Sequence, residues 1–260
     1  MGFIRNWRRR RLLEHRPLPE APWRALCDSV PLLAMLDADE RARLRARTTV
    51  FLAEKTVQGV QGLELEDEQR WLVAALATLP ILELDDDWYG DFYEVIVYPG
   101  EFIPRHEYED EDGLVHERHM PLSGEAWPRG PVILSWADVE ASLDLNGYNV
   151  VIHEFSHKLD MHNGDANGMP PLHHDMVPTA WTEAFTSAYE QLNADLDAGR
   201  DTLIDPYAAE DPAEFFAVLS EAFFEIPDYL QPAFPAVYAQ LSAFYRQDPA
   251  PRLEALARSY

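Results

Sequence analysis

Apolar residues recur at helical spacing through the first third of the chain, and then the period changes. Asp37-Ala38-Asp39-Glu40 is an acidic helix start. Glu66-Asp67-Glu68-Gln69 opens a second helix, in which Trp71, Leu72, Leu76 and Leu79 share a face. Past residue 80 the pattern turns extended. Tyr93-Glu94-Val95-Ile96-Val97-Tyr98 reads as a strand closed by Pro99-Gly100, and Pro131-Val132-Ile133-Leu134-Ser135-Trp136 as another. A helix starts near Ala137, and Val150, Val151, Phe155 and Leu159 form the buried face of the next, capped by Asn146 or Asn149. Trp181 to Leu196 and Phe234 to Tyr245 read as helices. Between them Asp211-Pro212 supplies an N-cap and a first helical residue for the stripe Phe215, Leu219, Ala222, Phe223. His106 to Asp112 reads as a solvated acidic connector, and His116 to His119 as strand-like.

This order predicts an α+β fold: a helical N-terminal part over residues 17–80, then a core over 81–260 with a small mixed sheet and packed helices. The two parts are expected to form one integrated domain, preceded by a basic arm over residues 1–16. That arm carries Arg5, Arg8, Arg9, Arg10, Arg11 and Arg16. No apolar run follows it, since Leu12-Leu13 meets Glu14, so it does not read as a signal peptide. A solvated arm is expected, or one that touches acidic surface, its own or a partner's.

Elsewhere the chain is acidic, with a formal charge of −25 over 260 residues. That balance speaks against direct nucleic-acid binding and for solubility and basic partners. The single cysteine, Cys27, precludes an internal disulfide; it reads as a small buried hydrophobe in a reducing, cytoplasmic protein. No run approaches the ~20 apolar residues of a membrane span, so no membrane partner is expected.

The chemistry lies in His153-Glu154-Phe155-Ser156-His157. Positions i and i+4 share a helix face, so both imidazoles can meet one zinc ion, with Glu154 beside it as the base of metal-assisted hydrolysis. One Zn2+ per chain is expected. Two histidines leave it short of a protein ligand. A metzincin tail would need Gly at 160 and His at 163; Asp160 and Asn163 stand there, which excludes that class. Asp160 reads as support for a ligand histidine or for the helix end. Glu214 and Glu221, seven apart beside the apolar stripe, are both candidates for the third ligand, and the spacing leaves the choice open. Ser135 and Trp136 end the nearest upstream strand and are candidates to meet an extended peptide by strand addition. Gly164, Gly168, Pro170 and Pro171 mark a loop at the cleft rim, and His162, His173 and His174 read as loop histidines. A purely structural zinc fits poorly with an intact Glu154 and no cysteine ligand.

HEFSHKLDMHNGDANGMP followed by IDPYAAEDPAEFFAVLSEAFFE resembles the Mlc titration factor A family of zinc peptidases, along nearly the whole chain. That family is similar in its site to the catalytic domain of anthrax lethal factor. The resemblance implies a zincin-like core in which Glu214 is the third zinc ligand and Tyr207 faces the site as an oxyanion donor. It implies peptide hydrolysis by Glu154-assisted attack of zinc-bound water, of aminopeptidase type, on a peptide substrate. It also implies a regulatory partner, an Mlc-like transcriptional repressor of the glucose phosphotransferase system. The alternative reading is a binding module that sequesters such a repressor, with vestigial peptidase activity.

Overall fold

A computed structural model describes residues 2–100, 106–109, 115–118, 124–127 and 130–258. Helices α1 (Gly2–His15), α2 (Glu20–Ser29), α3 (Pro31–Ala34) and α4 (Ala38–Glu54) come first, then strand β1 (Thr56–Gly59) and helix α5 (Asp67–Thr78). Strands β2 (Glu94–Tyr98), β3 (His106–Glu109), β4 (Val115–Arg118), β5 (Gly124–Ala126) and β6 (Val132–Ser135) follow. Helices α6 (Trp136–Ala141), α7 (Val150–Asp160), α8 (Pro178–Asp197), α9 (Pro212–Glu225), α10 (Pro227–Ala233), α11 (Pro235–Tyr245) and α12 (Ala250–Ala257) complete the described chain. None of the described helices is long and apolar enough to cross a membrane.

The fold is mixed α+β, mostly helical, with a small sheet in the order β1-β2-β6-β5. β1, β2 and β6 run parallel, and β5 pairs antiparallel with β6 through Gly124↔Leu134 and Ala126↔Val132. β3 and β4 form a separate antiparallel pair. The solvated connector expected from His106 is therefore a strand as far as Glu109. Residues 110–112 and His119 lie outside the described residues.

Local chemistry accounts for the helix starts. Asp37 accepts from the Glu40 N–H at 2.8 Å while the Glu40 carboxylate accepts from the Asp37 N–H at 2.9 Å, a reciprocal cap for α4. Asn149 caps α7 through the Ile152 N–H at 3.0 Å, and Asp211 caps α9 through the N–H groups of Ala213 and Glu214 at 2.7 and 3.0 Å. Each such cap is worth about 1 kcal/mol.

Packing then fixes α7 and α9 against one another. Phe155 on α7 meets Tyr89, Phe92 and Phe51 at ring separations of 5.1, 5.8 and 5.8 Å. On the far side, Phe215 and Phe216 of α9 meet Phe185 and Trp181 of α8. Such aromatic pairs add roughly 0.5–1.5 kcal/mol each beyond the area they bury. Between the helices, the Tyr245 hydroxyl of α11 donates to Ser220 of α9 at 2.8 Å and lies 3.3 Å from Ser156 of α7. Cys27 is fully buried, and burial pushes its thiol up to about 11.

One expectation changes here, and one pair of alternatives is decided. Trp136 does not extend the strand: it is the first residue of α6, whose N-terminus Ser135 caps by accepting from the Asp138 N–H at 3.3 Å. Ser135 is fully buried and pairs with Tyr98 of β2, and among the described residues β6 lies between β2 and β5, so it is not the outer strand. The outer strand next to α7 is β5. Of the two readings of the arginine-rich start, the structure shows the one that touches the chain's own acidic surface: it is helix α1, in which Arg9 forms a bidentate pair with Glu54 at 2.6 and 2.7 Å and Arg5 pairs with Asp87.

Candidate metal centre

Helix α7 places His153 and His157 one turn apart on one face, with their Nε2 atoms 3.2 Å from each other. Helix α9 brings Glu214 from its first turn, and Glu214 Oε2 lies 3.0 Å from His153 Nε2 and 3.5 Å from His157 Nε2. A tetrahedral ion with ligands at about 2.0–2.1 Å sets those ligands about 3.3 Å apart. The three donors thus lie where a zinc-sized ion can touch all of them, and a two-nitrogen, one-carboxylate set suits zinc.

Glu221, the other candidate, is two turns further along α9 and does a different job. Its Oε1 lies 2.7 Å from His153 Nδ1, on the side of the ring away from the donor cluster. It fixes which nitrogen of His153 is left for a metal. Its Oε2 accepts from the backbone N–H of Asn149. Glu225, one turn on, accepts from Asn149 Nδ2 at 2.9 Å and from the N–H groups of Asn146 and Gly147, each at 3.3 Å. Two buried carboxylates of α9 therefore hold the N-cap of α7 and the loop before it, and with them the height of His153. Sequence reasoning missed Glu225; a third glutamate at helical spacing behind Glu221 was the available signal.

Electrostatics follow from crowding four carboxylates and two imidazoles into a buried space. Burial pushes Glu214 up, but the hydrogen bonds to His153 and His157 outweigh it and hold the carboxyl well below its usual range. Burial alone would lower His153, yet the charge of Glu221 and the hydrogen bonds to both glutamates raise it well above normal. Burial raises Glu221. Glu154, only 4% exposed, is pushed by burial to about 7 against the opposing pull of His153 and His157. Glu154 Oε2 makes no hydrogen bond within the described residues. A carboxylate so placed is free to accept a proton near neutral pH.

The surroundings keep this geometry. Asp160 is not in the donor cluster: its Oδ2 accepts from the N–H groups of Asn167 and Gly168, both at 2.7 Å, and so ties the following loop to the end of α7. Gly168 has φ +78°, and a Cβ there would come within 2.3 Å of the Pro212 carbonyl, so only glycine lets the loop pass beside the start of α9. Lys158 is fully buried, and its ammonium donates to the Trp127 carbonyl at 2.8 Å, which anchors the turn after β5 to α7. Tyr207, in the 3₁₀ turn Pro206–Ala209, has its ring 6.1 Å from that of His153. Burial and the charge of Glu214 raise its hydroxyl, which therefore stays protonated. His162 and His173 stand outside the cluster, against Trp88 at 5.2 and 6.1 Å.

Strand β5 approaches Glu154 closely because residue 124 is glycine. A Cβ there would lie 2.3 Å from Glu154 Oε1 and 2.6 Å from its Cγ. Gly124→Ala is expected to displace that carboxylate and lower by about 10²-fold any rate that uses Glu154 as a base, with metal content unchanged. Parallel kinetic and metal analyses of the purified variant check this, and equal loss of metal would show a wider collapse.

A helix carrying His-Glu-x-x-His, set against an outer strand and completed by a glutamate from a second helix, is the arrangement of a metallopeptidase. The chain belongs to the family described as glucose-regulated metallo-peptidase M90, whose model matches residues 4–246. It is 44% identical to Mlc titration factor A of Salmonella paratyphi B over 234 residues, 88% of this chain and 87% of that protein. The namesake protein of Salmonella arizonae is 44% identical over 230 residues, 86% of this chain and 90% of its own length.

Proposed function

We propose that the protein is a zinc-dependent peptidase with a zincin-like core that acts on free peptide N-termini. The observation that supports this most is the donor set His153, His157 and Glu214, with Glu154, whose Oε2 has no hydrogen-bond partner among the described residues, in the same buried space. In this reading those three residues hold one zinc ion. When bound, zinc acidifies a water molecule and polarises a carbonyl. Glu154 takes the proton of the attacking water and passes it to the leaving amine. The Tyr207 phenol donates to the carbonyl oxygen as negative charge develops on it. β5, rather than Ser135 of β6 and Trp136 of α6, receives the extended substrate along its outer side, close to Glu154 because Gly124 has no side chain. Glu221 and Asp160 position rather than ligate. Residues 17–80 and 81–260 act as one unit around this centre, in the reducing cytoplasm that the lone cysteine fits.

Peptides with free and with acetylated N-termini test the proposal, assayed before chelation, after it, and after zinc is restored. Stepwise release of N-terminal residues that chelation abolishes and zinc restores is expected. Internal cleavage of the acetylated peptides would make the enzyme an endopeptidase instead.

The relatives' name supports a second reading, in which the protein binds an Mlc-like glucose repressor and so affects control of the phosphotransferase system. Absence of hydrolysis on every peptide, with retention of such a repressor, would leave this reading alone.

A further inference from the structure

Helix α1 carries a surface that the metal centre does not use. Its inward side is tied to the body by Arg9–Glu54 and Arg5–Asp87. Its outward side presents Ile4, Trp7, Arg8 and Arg11, the i, i+3, i+4, i+7 stripe of one face, with Arg10 exposed alongside. Ile4 is 62% and Trp7 53% exposed, and the Arg11 guanidinium sits 5.4 Å from the Trp7 ring centre. Residues 1–16 hold six arginines against one glutamate, in a chain whose formal charge is −25. α1 itself carries five of these arginines and the one glutamate, so it is a net basic helix on an acidic chain.

We infer that the outer face of α1 docks the protein onto an anionic phospholipid surface. The combination of side chains favours lipid. An indole and a branched aliphatic side chain suit the boundary between headgroups and acyl chains, and guanidinium groups around them pair with phosphates. A purely ionic partner would leave Ile4 and Trp7 without a role. The acidic body cannot approach an anionic bilayer closely, so contact is confined to α1 and the molecule is held in one orientation. With two apolar side chains and three exposed arginines among the described residues of this face, the attachment is reversible and salt-sensitive. It requires no spanning helix.

Sedimentation of the full-length protein with vesicles tests this, using phosphatidylcholine alone and phosphatidylcholine mixed with phosphatidylglycerol. Binding is expected only to the mixed vesicles and is expected to fall as salt is raised. The double change Arg8→Glu, Arg11→Glu should weaken it at least about thirtyfold, since each arginine near such a surface is worth roughly a fivefold factor. Trp7→Ser should weaken it about tenfold while keeping the salt dependence. Circular dichroism and zinc content, unchanged in both variants, separate loss of docking from loss of fold. No sedimentation of the wild type with anionic vesicles at low salt would overturn the inference. So would equal binding by the arginine variant. Concentration-dependent self-association that the same arginine changes abolish would assign the face to a second copy of the chain instead.

Discussion

Glu154→Gln is expected to leave the protein folded and metal-loaded while lowering peptide hydrolysis by about 10²–10⁴-fold. The exchange keeps the shape of the side chain and removes only its ability to take a proton. Because Glu154 Oε2 makes no hydrogen bond within the described residues, the amide breaks no contact there. Burial raises the proton affinity of Glu154 against the pull of His153 and His157, with Glu214 and Glu125 adding to it, so a neutral amide removes a charge that is costly to bury. Zinc content equal to the parent, with the catalytic rate lost, is the outcome that identifies a base rather than a ligand. Unchanged hydrolysis would remove Glu154 from the mechanism. A variant that loses hydrolysis yet still binds a glucose repressor would mean that the two activities coexist on one chain.

The H-E-x-x-H element was legible because its geometry is local. Once the segment is helical, four residues of separation bring the two imidazoles to one face whatever else the chain does. The cap at Asn149, one of two candidates, and the cap at Asp211 were readable for the same reason. Glu214 and Glu221 were not separable, since seven residues return a helix to nearly the same face. Only the depth at which α9 crosses α7 puts Glu214 against the Nε2 atoms and Glu221 against Nδ1. β5 left no signal either. Gly124-Glu125-Ala126 has no apolar alternation, and its position comes from pairing with β6 and from the clearance beside Glu154. The same limit explains the expectation for Ser135 and Trp136. An apolar run can identify a buried strand, but not whether another strand covers its side. For α1 the sequence left two readings, a solvated arm or one that touches acidic surface, because charge dominates its composition. Its docking through Arg5 and Arg9 depends on Asp87 and Glu54, which are distant in sequence.

The two glutamates of α9 should respond differently to the same change. Glu214→Gln is expected to strip zinc from the purified protein, because it replaces the only anionic member of the donor set with a neutral, weakly basic amide. Glu221→Gln should weaken zinc binding by about 10–100-fold, the usual effect of losing a carboxylate behind a ligand histidine, and so leave a protein that reloads when zinc is supplied. Its loss acts twice, since Glu221 orients His153 and also accepts from the Asn149 N–H at the start of α7. The Glu221 variant should therefore be thermally less stable than the parent even without metal. The Glu214 variant should also melt lower without metal, because the hydrogen bonds with His153 and His157 that hold its carboxyl below its usual range stabilise the metal-free form at neutral pH. Zinc analysis after dialysis and titration of zinc back into each variant distinguish the cases. If the Glu221 change alone empties the site and the Glu214 protein keeps its ion, the third ligand is Glu221, and α9 must sit about two turns away from the position seen here.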